Sequence, residues 1–202
     1  MDDETGDILD NNVLITIITT AINQKRWDVA KLYLCIAYKK NIPHADTYLL
    51  YACQKTNNCE DIVKFLFLEI KNGNTNALTL KLIYSIGCMY KNTGELEEAL
   101  QCFIISARYG NADALNMTAI ISLNLGNTPR AIDLFKSAIR CGSKESMRHL
   151  GYVYEITHRV TKAEKYYRLA AEIGDTEAMT RLDNLYKQTP EHQFLFTILN
   201  IV

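Results

Sequence analysis

The side chains with the richest chemistry are spread thinly along the chain. The thiols are Cys35, Cys53, Cys59, Cys88, Cys102 and Cys141, and the imidazoles are His44, His149, His158 and His192. A zinc site built from such residues needs ligands at short recurring spacings. There is no C-x-x-C pair, and no histidine has a second His or Cys at ligand spacing. No metal or cofactor is therefore expected, and the cysteines are read as free thiols packed as small hydrophobes in a reducing compartment. Cys88 as a nucleophile would need an acid–base partner nearby, and the sequence offers none. Glycine motifs for phosphate binding or for a nucleophile elbow are also missing. Glu95, Glu97 and Glu98 read simply as carboxylates that complement a helix N-terminus. Asn116-Met117-Thr118 has the form of a glycosylation sequon but falls within an expected helix. Enzymes require polar groups that converge with matched pKa values. Without them the expectation is a protein that is no enzyme and whose useful chemistry is recognition by tyrosines, arginines and amides.

The elements that must carry those residues are written in a ladder. Ala30, Ile62, Ala99, Ala131, Ala163 and Leu195 follow at steps of 32 residues, with one step of 37 between Ile62 and Ala99. Four residues beyond each rung stands Leu34, Leu66, Phe103, Phe135, Tyr167 or Leu199; eleven beyond the first five stand Asn41, Gly73, Gly110, Gly142 and Gly174. Twelve residues before the rungs come Ile18, Leu50, Gly87, Ala119, Gly151 and Asp183. A fixed period in this range is the signature of a stacked-repeat architecture. Each period holds two apolar-periodic segments separated by turn residues, which predicts six antiparallel helix pairs in an all-α, right-handed solenoid. The first helix of each pair (A) is expected over 10–23, 43–56, 75–92, 112–125, 144–157 and 176–188; the second (B) over 27–40, 59–71, 95–109, 129–141, 161–173 and 190–202. The five extra residues of the long step lie between Gly73 and Gly87, so the third A helix or the loop before it must be longer. Thr161 with Glu164 reads as a capping box, and Thr128-Pro129 and Thr189-Pro190 read as a cap followed by proline at the first helical position.

Composition is consistent with this organisation. Of 202 residues 48% are hydrophobic, only three are proline and nine glycine, and the formal net charge is −1 with both signs interspersed. That charge leaves no footprint for nucleic acid or anionic lipid. Residues 1–9 are acidic, are expected to be disordered and lack the basic region of a signal peptide. The apolar stretch Val13 to Ile22 is shorter than the ~20 residues of a membrane span. A single solenoid over 10–202 in the cytoplasm is the expectation, with no membrane association.

These spacings resemble the tetratricopeptide repeat, whose pattern L-G-x2-Y is followed nine residues on by A-x3-F. Ile86-Gly87-x2-Tyr90, Ala99, Phe103 matches it, as does Leu150-Gly151-x2-Tyr154, Ala163, Tyr167. The Sel1-like branch is similar at Ala170-Ala171-Glu172-Ile173-Gly174-x3-Ala178, echoed by Ser106-Ala107-x2-Gly110-x3-Ala114. The likeness is strong over 77–187 and in register but fainter over 10–76, where glycine, tyrosine and phenylalanine are missing from the signature positions. The period is also shorter than the family's usual 34.

The resemblance implies a protein-interaction module that holds a peptide or partner helix in a concave groove lined by A helices. Register then assigns groove positions: Tyr48 and Tyr51 on the second A helix, Tyr84 and Cys88 on the third, Asn116 on the fourth, Arg148, His149 and Tyr152 on the fifth, and Arg181 and Asn184 on the sixth. This face would be aromatic at one end and cationic at the other, suited to an acidic or carboxylate-bearing peptide held by Arg148 and Arg181. The last helix, 190–202, is expected to cap the stack or to form an interface. Phe194, Phe196, Ile198, Leu199 and Ile201 leave it almost no polar face, and a homodimer through it is expected. The alternatives are an RNA-binding helical repeat, disfavoured by the net charge and by the lack of recurring basic or amide pairs, and, behind it, a small helical enzyme.

Overall fold

The structure, a computed structural model, describes residues 10–188. Among these residues it is entirely helical, without strands: α1 (Asn11–Asn23), α2 (Trp27–Lys39), α3 (Ala45–Thr56), α4 (Glu60–Lys71), α5 (Ala77–Thr93), α6 (Leu96–Arg108), α7 (Ala112–Asn124), α8 (Thr128–Arg140), α9 (Glu145–Ile156), α10 (Val160–Glu172) and α11 (Thr176–Gln188). Every expected helix within the described residues is present, with ends within two residues of the sequence expectation. The sixth B helix, 190–202, lies outside the described residues.

The ladder is the buried stripe of the B helices. Rung, rung plus four and rung plus seven are buried in α2 (Ala30, Leu34, Ala37), α4 (Ile62, Leu66, Glu69), α8 (Ala131, Phe135, Ala138) and α10 (Ala163, Tyr167, Ala170). That i, i+4, i+7 spacing places three side chains on one helix face. The small residues of the A helices receive the aromatic of the following B helix. A methyl group on Gly151 would lie 2.6 Å from the Tyr167 ring, and one on Gly87 2.9 Å from Phe103. These two glycines therefore let the helices of a pair approach more closely than alanine would allow.

A second ladder sits in the turns. Lys25, Asn57, Gly94, Gly126 and His158 join A to B, and Asn41, Gly73, Gly110, Gly142 and Gly174 join B to A; all ten have positive φ. The left-handed turn is thus kept even where glycine is absent, in the first, second and fifth repeats, at a steric cost of about 1 kcal/mol or more for a side chain with Cβ.

Two local expectations are corrected. Thr161 is not a cap: α10 begins at Val160, no side chain caps it, and Glu164 instead accepts from the Tyr186 hydroxyl at 3.0 Å. The cap of α8 is Asn127, one residue before Thr128, and its Oδ1 accepts from the Arg130 N–H at 3.2 Å. Amide and hydroxyl caps compete for the same exposed N–H groups, and here the amide takes them. The long step is resolved as helix. Ten residues precede Gly87 in α5, against six before Gly151 in α9. The added turn is capped by Asn76 and pinned to α2 by a 2.8 Å hydrogen bond between Tyr38 and the buried Thr79.

The chain divides into two compact units between Ile105 and Ser106, within α6. In the first, Leu14, Leu34, Leu49, Ile62, Leu66, Ile83, Ile86 and Phe103 are fully buried. The second is centred on Phe135, Leu150, Val153, Tyr154 and Tyr167.

Candidate interaction surface

In the first unit the solvent-facing side of α3 carries the expected aromatic residues. Tyr48 and Tyr51 are 49% and 40% exposed. With His44 and Thr47 they line an open depression of about 330 Å³. His44 precedes α3 in a left-handed conformation (φ 67°). Tyr51 is steadied by an edge contact with Trp27 (ring centroids 5.7 Å apart) and by the Lys55 ammonium 5.3 Å above its ring. Its face is thereby held in one orientation at little further entropic cost on binding. Tyr84 and Cys88 on α5 are half-buried, and Tyr84 leans against Phe103 at 5.6 Å.

In the second unit the expected groove residues are engaged with one another and with carboxylates. The Arg148 Nε donates to Asp175 Oδ2 at 3.0 Å and its Nη1 lies 2.9 Å from Glu177 Oε2. Arg181 Nε lies 3.3 Å from Glu177 Oε1 and its Nη1 3.7 Å from Glu155 Oε2. Glu177 therefore bridges the two arginines, and the set of two guanidinium groups and three carboxylates carries one net negative charge. Asp175 also caps α11 by accepting from the Ala178 N–H at 2.9 Å. Burial works against its ionisation, but that backbone bond and the Arg148 guanidinium hold its carboxyl below the usual value. Glu155 further accepts from the Tyr167 hydroxyl. The Arg181 guanidinium sits 5.0 Å over the Tyr152 ring, a cation–π arrangement, while Asn184 is exposed.

Asn116 is 9% exposed, and its Oδ1 accepts from the Ser146 hydroxyl at 2.9 Å and meets His149 Nδ1 at 2.9 Å. The Ser146 hydroxyl has one proton, so the 2.8 Å contact with Ser143 is made by the Ser143 hydroxyl donating in turn. Asn116 and His149 thus tie α7 to α9. Burial is the main reason the His149 imidazole is held below its ordinary pKa, with the Arg148 charge adding to it.

Sequence reasoning placed the arginines but missed their partners, Asp175 and Glu177, which follow Gly174 at the repeat junction, and Glu155 on α9. Only the Glu177–Arg181 spacing of four was visible as a helix-surface pair. The self-association residues Phe194, Phe196, Ile198, Leu199 and Ile201 lie outside the described residues. Among the described residues no cluster of three or more His, Cys, Asp or Glu could hold a metal, and no helix is long and apolar enough to cross a membrane.

The tetratricopeptide-repeat family model matches residues 80–104, the end of the first unit that includes Gly87, Tyr90, Ala99 and Phe103. Among solved structures, a Sel1 repeat protein from Oxalobacter formigenes is similar at a TM-score of 0.52, with 19% identity over 91% of this chain and 84% of that one. BtubC from P. vanneervenii reaches a TM-score of 0.57 at 14% identity, over 89% and 85% of the two chains. The chain has the tetratricopeptide/Sel1-like solenoid fold. MamA is also similar, with a TM-score of 0.51 and 18% identity over 83% of this chain and 93% of its own. No curated protein matches the sequence significantly. Folds of this tetratricopeptide/Sel1-like type generally mediate protein–protein interaction.

Proposed function

We propose that this chain is a non-enzymatic interaction module that holds a peptide or partner helix on the exposed faces of its A helices, with the Tyr48–Tyr51 face of α3 as the anchor. The observation that carries this is the pair of exposed tyrosines beside an open depression, on a helix whose opposite side is fully packed by Leu49, Ala52 and Cys53. Aromatic side chains anchor interfaces because they bury large area with few rotors to freeze. Arg148 and Arg181 are outnumbered by Asp175, Glu177 and Glu155, which favours a partner that contributes apolar side chains over one recognised chiefly by its acidity. Six free thiols suit a cytoplasmic setting.

The test is selection of binders from a displayed random-peptide library, followed by measurement of the winners against variants. Tyr48→Ala and Tyr51→Ala are each expected to weaken binding by about 2 kcal/mol, roughly thirtyfold, as truncation of an aromatic anchor does. Binding is expected to change little with salt, since screening acts on charge pairs. Selected peptides that bind both variants as well as the wild type would defeat the α3 assignment. Strong salt dependence together with loss of binding in Arg148→Ala would favour the acidic-peptide mode instead.

A further inference from the structure

Five of the six cysteines, Cys35, Cys53, Cys59, Cys88 and Cys102, lie in the first unit and are at least half-buried, yet they are not equivalent. Cys53, near the end of α3, is fully buried, and Cys59, which immediately precedes α4, is 4% exposed. Their side chains are hydrogen-bonded to each other. Beside them is the buried Lys31, whose ammonium donates to the Asn58 carbonyl at 2.8 Å and so stands one residue from Cys59. Cys59 also lines a cleft of about 540 Å³ with Asn58, Val63, Tyr90, Glu95 and Glu98; Cys53 does not. One thiol of the touching pair therefore has a route to small solutes, while the other lies behind it.

We propose that Cys53 and Cys59 are a thiol–disulfide exchange pair, converted to an intramolecular disulfide by small disulfides that enter the cleft and are met first by Cys59. The attacking thiol must be the more readily ionised one, and three features favour thiolate on Cys59: the start of α4, the Lys31 charge and the Cys53 S–H. In accord with this, the hydrogen bond from Cys53 outweighs burial and lowers the Cys59 thiol from its ordinary value. The same hydrogen bond, with burial second, pushes Cys53 far up. Burial pushes Cys35 and Cys102 up to about 12, and neither lines the cleft.

Exchange runs in two steps. The Cys59 thiolate attacks one sulfur of R–S–S–R; its S–S bond breaks, a Cys59–S–S–R bond forms, and RS⁻ leaves. With Cys59 no longer an anion, Cys53 has lost the acceptor that held its proton. It gives that proton to the departing RS⁻, attacks the Cys59 sulfur and expels the second RS⁻, which takes a proton from water. Two electrons pass from the protein dithiol to the small disulfide, giving two RSH in all once the proton released when Cys59 ionised is counted. Closing the bond brings the two hydrogen-bonded sulfurs together to ~2.05 Å. The product would tie the end of α3 to the start of α4.

The probe is cystamine, whose ammonium groups suit a cleft lined by Glu60, Glu95 and Glu98 against Lys64. The reduced full-length chain is incubated with excess cystamine, quenched by alkylation under denaturing conditions, and read by intact mass and peptide mapping. The expected result is loss of two alkylatable thiols as one Cys53–Cys59 disulfide, while the exposed Cys141 carries a single cysteamine adduct. Cys53→Ala is expected to stop at a cysteamine adduct on Cys59. Early acid quenching of the wild type should capture the same adduct without any substitution. Full alkylation of Cys53 and Cys59 in protein whose Cys141 is already modified would overturn the proposal. So would pairing of either thiol with Cys35 or Cys102, or a first adduct on Cys53.

Discussion

Replacing Gly151 with alanine tests the close approach on which the fifth repeat depends. By helix propensity alone this change should stabilise α9 by about 1 kcal/mol, because glycine is the poorer helix former. The structure opposes this. The added methyl would sit 2.6 Å from Tyr167 Cδ1 and 2.7 Å from Cε1, well inside contact distance. Tyr167 cannot easily withdraw: its ring is fully buried, and its hydroxyl is held by Glu155. Either α9 or the ring must move by most of an ångström, and overpacking of this kind costs about 1–3 kcal/mol or somewhat more in a tightly packed core. Taking about 3 kcal/mol for a ring held at both ends, and subtracting the propensity gain, leaves a net loss of about 2 kcal/mol. For a chain of this size that corresponds to a fall in Tm of roughly 4–8 °C. Thermal unfolding followed by far-ultraviolet circular dichroism measures it. The double variant with Tyr167→Leu isolates the cause: with the ring gone, Gly151→Ala should become neutral or stabilising, leaving a coupling of about 2 kcal/mol or more. A Gly151→Ala chain as stable as the wild type, or an equal loss in both backgrounds, would refute the reasoning.

Two further outcomes follow from the same geometry. His158 holds the left-handed turn between α9 and α10 at φ 56°, so His158→Gly should raise stability by up to about 1 kcal/mol, read as a higher denaturation midpoint; a lower midpoint would mean that the side chain contributes more than the strain removes. His149 is held neutral by burial, with Arg148 reinforcing this against Glu177, Asp175 and Glu145, so its folded pKa lies below the unfolded value near 6.5. Its contribution to stability is therefore complete above pH 6.5 and is lost as pH falls through the folded value. Asp175, also depressed, acts only in a lower window, below about 3.8. The Tm of the wild type should fall between pH 6.5 and 4.5, and His149→Asn should flatten that fall; an unchanged slope in the variant would assign the dependence elsewhere.

The repeat was legible in the sequence because it rests on local rules. A buried stripe at i, i+4, i+7 recurs at the described rungs, with a small residue opposite the aromatic from the third to the fifth, so the helices fell within two residues of their expected ends. The turn ladder was legible only where glycine, or Asn41, marked it. Lys25, Asn57 and His158 occupy the same left-handed position; Asn and His tolerate it better than most residues, whereas Lys25 is held there by the geometry of the packed pair. Cap choice was a near tie that local pattern could not resolve, as Asn127 and the uncapped start of α10 illustrate.

What a one-dimensional pattern could not supply was the pairing of side chains from different repeats. Register assigned Tyr48 and Tyr51 to a groove lined by A helices, and both are exposed, since exposure follows from helix phase. It assigned Asn116, Arg148 and Arg181 by the same rule, yet Asn116 is buried against Ser146 and His149 from the next repeat, and the arginines are satisfied by Asp175, Glu177 and Glu155. Long polar side chains reach several ångströms from their backbone positions and choose among partners about one repeat away, a choice made by distance and desolvation. Cys53 and Cys59 likewise read as two scattered hydrophobes until the α3–α4 turn brought their sulfurs into contact beside Lys31. Sequence periodicity determined the scaffold of this protein; only tertiary packing decided which of its charges and thiols face one another.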